Sequence, residues 1–397
     1  MYQTLFNQYE HFKESRIYKR RFSESLWYEL IQEWSQKDVF EVSEIGKTFE
    51  ERPIHQVRYG QGPIRICAWS QMHGDEATAT KALADIFLFL SQKADGFDEL
   101  RQILHQNISF YVIPRLNGDG AARWTRETAL GIDMNRDAQS LFSPEAKILS
   151  DWADAIQPTF AFNLHDQNRL YSVGSTPHQT HIALLATTGD EHGTWTPSRI
   201  RAGKLANRMY KNIEGALTNK IAKWSDEYNS RAFGDNFQSR GYGLLLLESG
   251  GAAWDLEKHT LRKINACLLL DALYSIATDS WKTESMELYQ GLLTNERCIV
   301  DIKLKNAPLA SGKNQRADIA INLKEYIDEE GEIAYAWIIE DLGDMSIYNG
   351  LQEIDASTFE YASQEAIKKE GVYTQLLFHQ GEKIAFQLSD YTHKIQK

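Results

Sequence analysis

Residues 63–87 read PIRICAWSQMHGDEATATKALADIF and contain a strand, a turn and the start of a helix. The run PIRICAWSQ is short and strongly apolar, which is typical of a buried strand. From residue 77 to 94, apolar side chains recur at helical spacing, which predicts a helix packed on a sheet; they are Ala79, Leu83, Ile86, Phe87 and Leu90. The turn His73-Gly74-Asp75-Glu76 lies between the two elements, so a histidine and a glutamate flank the point where the strand ends.

Strands and helices alternate along the chain on both sides of this segment. Before it, residues 40–60 read as two strands around a turn at Gly46-Lys47, and 24–36 as a short helix. After it, buried strands are predicted at 108–117, 159–167 and 241–251, and helices after Ser143-Pro144, after Thr196-Pro197 and near 255–279. This alternation predicts an α/β fold, a mixed β-sheet with helices on both faces.

The pattern changes near residue 290. Short alternating strands separated by turn residues follow, as in RCIVDIKLKN, RADIAINLKEY, IAYAWIIEDL, YTQLLFHQ and KIAFQLSDY. The sequence therefore predicts a larger α/β domain over 1–285, with an N-terminal helical extension over 1–40, and a smaller β-rich accessory domain over 290–397.

Composition limits the function classes. The 397 residues carry a net charge of −12, which argues against nucleic acid or an anionic membrane as the main partner. Three scattered cysteines exclude a disulfide framework. The N-terminus has no apolar core of signal-peptide length, and no run of 18 apolar residues occurs, so we expect a cytoplasmic protein without a membrane span.

Polar residues follow the apolar strands at a consistent place. His73 and Glu76 come after one strand, His165 ends a second and Glu248 a third. Because ligands bind beyond the carboxyl ends of such strands, one crevice could hold all four side chains. Two imidazoles and one carboxylate suit a catalytic zinc, although cobalt and nickel accept the same ligands. Alone, the HxxE pair would more often be a surface turn, with Glu76 favoured by the helix dipole.

Five ordered segments resemble the zinc carboxypeptidase family (the M14 metallopeptidases) over roughly 43–280. They are VSEIGKTFEERPI, HGDE, NGDGAARWTRETALGIDMNRD, FNLHDQ and LLLLESGG. The resemblance implies one zinc ion held by His73, Glu76 and His165, and a hydrolase of amide bonds in peptides. It takes no account of the chain after 290.

The resemblance also implies roles for other residues. Glu248 would be the general base, and Arg126 would stabilise the oxyanion, with Arg123 as a competitor because the loop there varies in length. Asn135 and Arg136 would hold the terminal carboxylate of the substrate, and Asp133 would orient the first zinc histidine. Tyr228 would match a mobile active-site tyrosine, with a surface tyrosine equally compatible.

One departure leaves the substrate open. Asp75 stands where many digestive members have an arginine, and HGDE is more similar to members that act on cell-wall peptides or small amides. The sequence therefore favours a carboxypeptidase first and, as the alternative, an amidase or deacylase of cell-wall peptides or N-acyl amino acids. A non-catalytic binding protein is the third hypothesis, although every catalytic position is filled.

Overall fold

The computed structural model describes residues 1–312, 314–361, 366–373 and 376–391. Its strands are β1 Phe40–Lys47, β2 Pro53–Tyr59, β3 Ile64–Ser70, β4 Ile108–Ile113, β5 Phe160–Asp166, β6 Ser172–Val173, β7 Ile182–Ala186, β8 Ile221–Lys223, β9 Gly243–Ser249, β10 Asn295–Glu296, β11 Ile299–Pro308, β12 Arg316–Ile327, β13 Ile333–Gly343, β14 Asn349–Asp355, β15 Glu360–Tyr361, β16 Val372–Tyr373, β17 Leu377–Gln380 and β18 Lys383–Gln387.

The α-helices among these residues are α1 Tyr2–Gln8, α2 Glu24–Ser35, α3 Thr78–Ser91, α4 Asp98–Asn107, α5 Gly118–Arg123, α6 Pro144–Ile156, α7 Pro197–Ile213, α8 Phe233–Ser239, α9 His259–Ala277 and α10 Glu287–Gln290. Short 3-10 helices occur at Tyr9–His11, Met134–Arg136 and Ser280–Thr283. The two predicted serine and threonine caps are present: the hydroxyl of Ser143 accepts from Ala146 N at 3.3 Å, and that of Thr196 from Arg199 N at 3.3 Å.

The chain divides into two compact units. The first consists of Met1–Gln167, His181–Gly250 and Glu257–Thr294, and the second of Asn168–Thr180, Gly251–Leu256 and Asn295–Lys397. The structure therefore differs from the predicted bounds of 285 and 290, because two segments from the middle of the chain join the β-rich unit. These segments follow directly on β5 and β9, and no local sequence pattern encodes their long-range contacts.

The first unit is built on an eight-stranded mixed sheet in the order β1-β2-β4-β3-β5-β9-β7-β8. Strands β4, β3, β5 and β9 run parallel to one another, and β7 pairs antiparallel with β9. Cys67 and Trp69 of β3 point to one face, where they share a buried cluster with side chains of α6 and α8. On another part of the unit, α3 packs against α9. The predicted mixed sheet flanked by helices is confirmed.

Two details of the first unit differ from the sequence predictions. The turn between β1 and β2 lies at residues 48–52 rather than at Gly46-Lys47, because Gly46 pairs with Ile54 inside the ladder and Thr48 N donates to Arg52 O at 2.9 Å. Strand β7, whose residues are all buried, is absent from the predicted strands. Its five residues are too few to show a period.

The second unit contains a five-stranded sheet in the order β14-β11-β12-β13-β16 and a three-stranded sheet β15-β17-β18. Inward side chains of both sheets, among them Ile302, Ile321, Trp337 and Phe378, form one buried cluster. Arg169, just after β5 in the chain, forms a bidentate ion pair with the fully buried Asp301 of β11. The β-rich texture predicted after 290 is confirmed, except that part of the predicted strand YTQLLFHQ (residues 374–375) lies outside the described residues.

Candidate metal centre and active site

The HGDE turn is fixed by a close backbone approach. A Cβ on Gly74 would lie 2.0 Å from the carbonyl carbon of Gly120 in α5, so only glycine fits there. Glu76 N donates to His73 O at 3.2 Å and closes the turn. Helix α3 begins at Thr78, so Glu76 lies in the turn just before the helix.

The order of the central strands brings the other two site residues to the same edge. Strand β5 lies between β3 and β9, and His165 is opposite Glu248 in the parallel register of β5 and β9. The strand ends that precede His73, carry His165 and carry Glu248 are therefore side by side. The expected convergence of these strand ends at one edge of the sheet is therefore present in the first unit.

Three of these side chains converge on one point. Nδ1 of His73 lies 2.7 Å from Oε1 of Glu76, and Nδ1 of His165 lies 2.7 Å from its Oε2. All three residues are buried, and one ligand atom of each lies within 4.8 Å of the others. Both imidazoles thus turn the same nitrogen towards one carboxylate, which is the donor set of a His2Glu metal site.

The remaining nitrogens of the two imidazoles have different surroundings. Nε2 of His73 points away from the cluster to Oδ1 of Asp133 at 3.2 Å, which leaves Nδ1 as the coordinating atom. Nε2 of His165 is buried without a hydrogen-bond partner among the described residues. Within the described part of the chain, the hydrogen bonding of His165 is therefore incomplete.

The electrostatics favour an anion between two imidazoles. Burial alone would raise the pKa of Glu76, but the charges and hydrogen bonds of His73 and His165 hold it well below its usual range. Burial alone would lower the pKa of His73, but Glu76 and Asp133 outweigh it and raise the pKa to about 9. Burial dominates at His165 and lowers its pKa. Glu76 is therefore held as a carboxylate between the two imidazoles.

Glu248 lies in a different electrostatic setting. It is buried, and among the described residues no hydrogen bond to its carboxyl is found. Burial and the charge of Glu76 raise its pKa well above the usual range, while His73 and Lys258 oppose this shift. A carboxyl of this kind holds a proton more readily than an exposed glutamate does.

The structure separates the two candidate arginines. Nη1 of Arg126 lies 3.2 Å from Oε1 of Glu76, and its Nη2 lies 3.0 Å from Oδ2 of Asp133. Arg123 instead pairs with Glu50 and donates to Asp119 O at 3.3 Å. Only Arg126 of this pair reaches the cluster, and its side chain is 40% exposed.

Asp133 links the cluster to the predicted carboxylate-binding pair. Its Oδ1 accepts from Asn135 N at 2.9 Å and caps the 3-10 helix Met134–Arg136. Hydrogen bonds and charges from His73 and Arg126 overcome burial and hold the pKa of Asp133 below its usual range. The guanidinium of Arg136 is exposed and has no ion-pair partner among the described residues.

Two further carboxyls lie near these groups. Burial and the charge of Glu76 raise the pKa of Asp75 to about 6, and its Oδ1 is buried without a hydrogen-bond partner among the described residues. Burial raises the pKa of Asp235 to about 7; Asp226 adds to this shift and the charge of Arg136 opposes it.

Tyr228 is not joined to the cluster. It is partly buried in the loop that follows β8, and none of the hydrogen bonds among the described residues connects it to His73, Glu76 or Arg126. Its predicted role stays a prediction.

Two residues beside the cluster were not singled out from the sequence. Asp166 follows His165 directly, and its backbone N–H donates to Oε2 of Glu76 at 3.1 Å. Lys258 is buried, and its Nζ lies 3.2 Å from Oδ2 of Asp166. The polar residue after His165 was a usable signal for Asp166. Lys258 lies ten residues beyond Glu248 and gave none.

Comparison with known proteins decides the family. The zinc carboxypeptidase family model matches residues 27–234, which is more than half of the chain. The chain belongs to the zinc carboxypeptidase family. This confirms the family expected from the sequence. The matched range contains His73, Glu76 and His165 but ends before Glu248.

Individual relatives of the chain are distant. Carboxypeptidase SOL1 of Arabidopsis thaliana is 26% identical over 137 residues, and the match covers 30% of this chain and 28% of that protein. The chain thus spans less than a third of the curated relative that it matches.

Among solved structures, the metallo-carboxypeptidase from Burkholderia cenocepacia has a TM-score of 0.55 at 18% identity, covering 66% of this chain and 71% of that chain. Carboxypeptidase A from Helicoverpa armigera has a TM-score of 0.50 at 14% identity, covering 70% and 81%. At these identities, the likeness concerns the fold.

No helix in the described part of the chain is both long and apolar enough to cross a membrane.

Proposed function

We propose that this protein is a zinc-dependent carboxypeptidase that hydrolyses the C-terminal peptide bond of a peptide. The observation that carries the proposal is the position of Asp133. One carboxylate bonds His73 and Arg126 and also caps the short helix that bears Asn135 and Arg136. Asp133 therefore fixes the short helix that bears Arg136, a candidate anion-binding residue, beside the His2Glu cluster.

His73, Glu76 and His165 would hold the metal. When bound there, zinc supplies a Lewis acid that polarises the substrate carbonyl and lowers the pKa of a water molecule from 15.7 to about 7. His73 is kept in the tautomer that offers Nδ1, because its Nε2 faces the carboxylate of Asp133.

Glu248 would move the proton. Its raised pKa suits a group that takes a proton from the attacking water and gives it to the leaving amine. Its register opposite His165 places it at the same strand ends as the metal ligands. A buried site excludes bulk water and so keeps this transfer within the chain's own groups.

Arg126 would stabilise the negative charge that develops on the substrate carbonyl oxygen. Its guanidinium already lies at the edge of the cluster, and its partial exposure leaves donors available. Arg136 would bind the terminal carboxylate with a guanidinium fork, while Asn135 positions the segment by accepting from Phe233 N at 2.9 Å. We also assign Tyr228 to substrate contact, as the family resemblance implies.

The test compares one peptide as its free acid and as its C-terminal amide, with cleavage read by mass spectrometry. The zinc-loaded wild type is expected to cleave the free acid at least tenfold faster. Arg136→Met should lose this preference, because the carboxylate-binding cation is gone. Arg123→Met is the matched control, since Arg123 pairs with Glu50 outside the cluster, and it should keep the preference.

Equal cleavage of the two peptides by the wild type would overturn the carboxypeptidase proposal. The second candidate is an amidase or deacylase acting on cell-wall peptides or N-acyl amino acids, and Asp75 favours it. Its partly buried carboxyl lies beside Glu76 and would repel a substrate carboxylate at that point. Turnover of muropeptides or acyl amino acids without turnover of either peptide would support this second candidate.

A further inference from the structure

A buried lysine lies where the two strands of the site end. The Nζ atom of Lys258 is 3.2 Å from Oδ2 of Asp166 and donates to the carbonyl oxygen of Ser249 at 3.2 Å. Asp166 follows His165 in the chain, and Ser249 follows Glu248. The ammonium group therefore bonds the residue next to a metal ligand and the residue next to the proposed base.

These contacts lie at the carboxyl-terminal end of the β5–β9 strand pair. In the parallel register Asp166 is opposite Ser249, and Gln167 N donates to Ser249 O at 2.9 Å as the last bond between the strands. Nζ of Lys258 also lies 3.5 Å from Gln167 O. One cation thus holds the ends of both strands at the point where their side chains enter the site.

The carboxylate that binds Lys258 is also connected to the metal ligands. Oδ2 of Asp166 accepts from the hydroxyl of Thr78 at 2.7 Å, and the backbone N–H of Asp166 donates to Oε2 of Glu76 at 3.1 Å. A continuous series of contacts therefore runs from Lys258 through Asp166 to Glu76. All of these residues are in the first unit.

The backbone at Lys258 is held in an unusual conformation. Its φ of 53° and ψ of 35° are left-handed, a region that side-chain-bearing residues rarely adopt. The carbonyl of Lys258 accepts from Arg262 N at 2.8 Å at the start of α9. Such conformations persist only where the surroundings determine them, and they cluster at functional sites.

We propose that Lys258 is a positioning residue of the active site, which fixes the relative placement of His165 and Glu248 through Asp166 and the ends of β5 and β9. The expected effect on kcat rests on the proposed function, whereas the expected effect on zinc affinity does not. It does not make Lys258 a catalytic residue, because its ammonium contacts strand ends and not the reacting atoms.

The test uses the full chain and two readouts, zinc affinity by competition with a chelator and the separate values of kcat and KM. Lys258→Met should weaken zinc binding 10- to 100-fold, the usual range for loss of a group that supports metal ligands. It should also lower kcat at saturating zinc at least tenfold and change KM less than twofold. Lys258→Arg should recover part of both losses because it keeps the charge.

Lys81→Met is the matched control. Lys81 is also a fully buried lysine, and it donates to Glu257 O at 2.9 Å, next to Lys258 in the chain. Its loss should lower the melting temperature of the zinc-free protein but leave zinc affinity and kcat within twofold of wild type.

Asp166→Asn provides a second variant that keeps the side-chain shape if Lys258→Met does not fold, and it should weaken zinc binding severalfold. The proposal is overturned if Lys258→Met keeps both zinc affinity and kcat within twofold of wild type. If Lys258→Met is insoluble, the same result in Asp166→Asn overturns it. Equal losses in Lys81→Met would also overturn it. Zinc affinity is read without turnover, so a wild type that cleaves no peptide counts against the proposed function and leaves this test intact.

Discussion

Two buried charge clusters in the first unit are built from the same kinds of groups but completed differently. In the first, Asp85 of α3 pairs with Arg262 of α9, and both side chains are fully buried. The carboxylate of Asp85 also accepts from the hydroxyl of Tyr9 at 2.6 Å and from Glu14 N at 2.7 Å. Arg262 donates to the carbonyl oxygens of Ile17 and Glu14. Every charged group here is satisfied by the chain itself.

The second cluster consists of His73, Glu76, His165 and Glu248, and the described residues do not complete its hydrogen bonding. Nε2 of His165 and, nearby, Oδ1 of Asp75 and Oδ1 of Asp166 are buried without hydrogen-bond partners among the described residues. Buried polar groups without partners are costly in a folded protein, so hydrogen bonds satisfy this region less well than the Asp85 cluster. The difference indicates that the Asp85 cluster anchors the N-terminal segment, whereas the Nδ1 atoms of His73 and His165 and the carboxylate of Glu76 form the candidate metal site.

The largest effect is expected from Glu248→Gln. Removal of the general base should lower kcat about a thousandfold, because such groups contribute roughly 10²- to 10⁴-fold. The melting temperature of the zinc-free variant should not fall, since a buried carboxyl with a raised pKa is replaced by a neutral side chain. Steady-state kinetics and thermal unfolding measure the two quantities.

Glu145→Gln is the control for this variant. Glu145 is fully buried, and burial raises its pKa, but its carboxylate accepts from Phe49 N away from the metal ligands. Its kcat should match wild type. A thousandfold loss of kcat in Glu145→Gln, or no loss of kcat in Glu248→Gln, would contradict the assignment of Glu248 as the general base.

Arg262→Met tests the completed cluster. It leaves Asp85 as an unpaired buried charge, which should cost about 3–5 kcal/mol of unfolding free energy. Zinc affinity should stay within twofold of wild type. Urea unfolding and a chelator competition give the two values.

Glu76→Gln is the matching change in the histidine cluster. We expect it to abolish zinc binding with little loss of stability, the reverse of the result expected for Arg262→Met. Zinc binding should be lost, while the zinc-free protein should lose far less stability than Arg262→Met does. If the zinc-free Glu76→Gln protein is destabilised as strongly as Arg262→Met, the histidine cluster is structural and the comparison fails.

The smallest effect concerns Asp235, which lies near Arg136. Its pKa of about 7 in the folded chain exceeds the value near 3.9 of an unfolded aspartate, so the folded state binds more protons between those pH values. Stability from this group is therefore full below pH about 4 and is lost as the pH rises through 7. Asp235→Asn should gain a few degrees in melting temperature relative to wild type over this range. Parallel curves for the two proteins would contradict the assignment.

Much of the site could be predicted because its signals are local. An apolar run that ends in a polar residue marks His165 and Glu248, and the strand-turn-helix pattern marks His73. In α/β sheets, ligands bind beyond the carboxyl ends of the strands, so the convergence of these residues at one edge was a reasonable expectation. The choice between Arg123 and Arg126 was not local, because both are near the same loop, and only the pairing of Arg123 with Glu50 separates them.

Other features depend on contacts between distant parts of the chain. The assignment of 168–180 and 251–256 to the β-rich unit follows from pairs such as Arg169 with Asp301, which are 132 residues apart. Lys258 was missed because its role depends on a left-handed backbone and on two strand ends. The buried strand β7 pairs with β9 across more than 50 residues, so a five-residue apolar run gave no indication of its partner.

The most direct test of the central claim is a calorimetric titration of the zinc-free wild-type protein with zinc, alongside Glu76→Gln. The account predicts that the wild type binds one ion per chain and that a hundredfold excess over the Kd stabilises it by about 2.7 kcal/mol. Glu76→Gln should show neither binding nor stabilisation. A folded wild type that binds no zinc, or a Glu76→Gln protein that binds it equally well, would contradict the account.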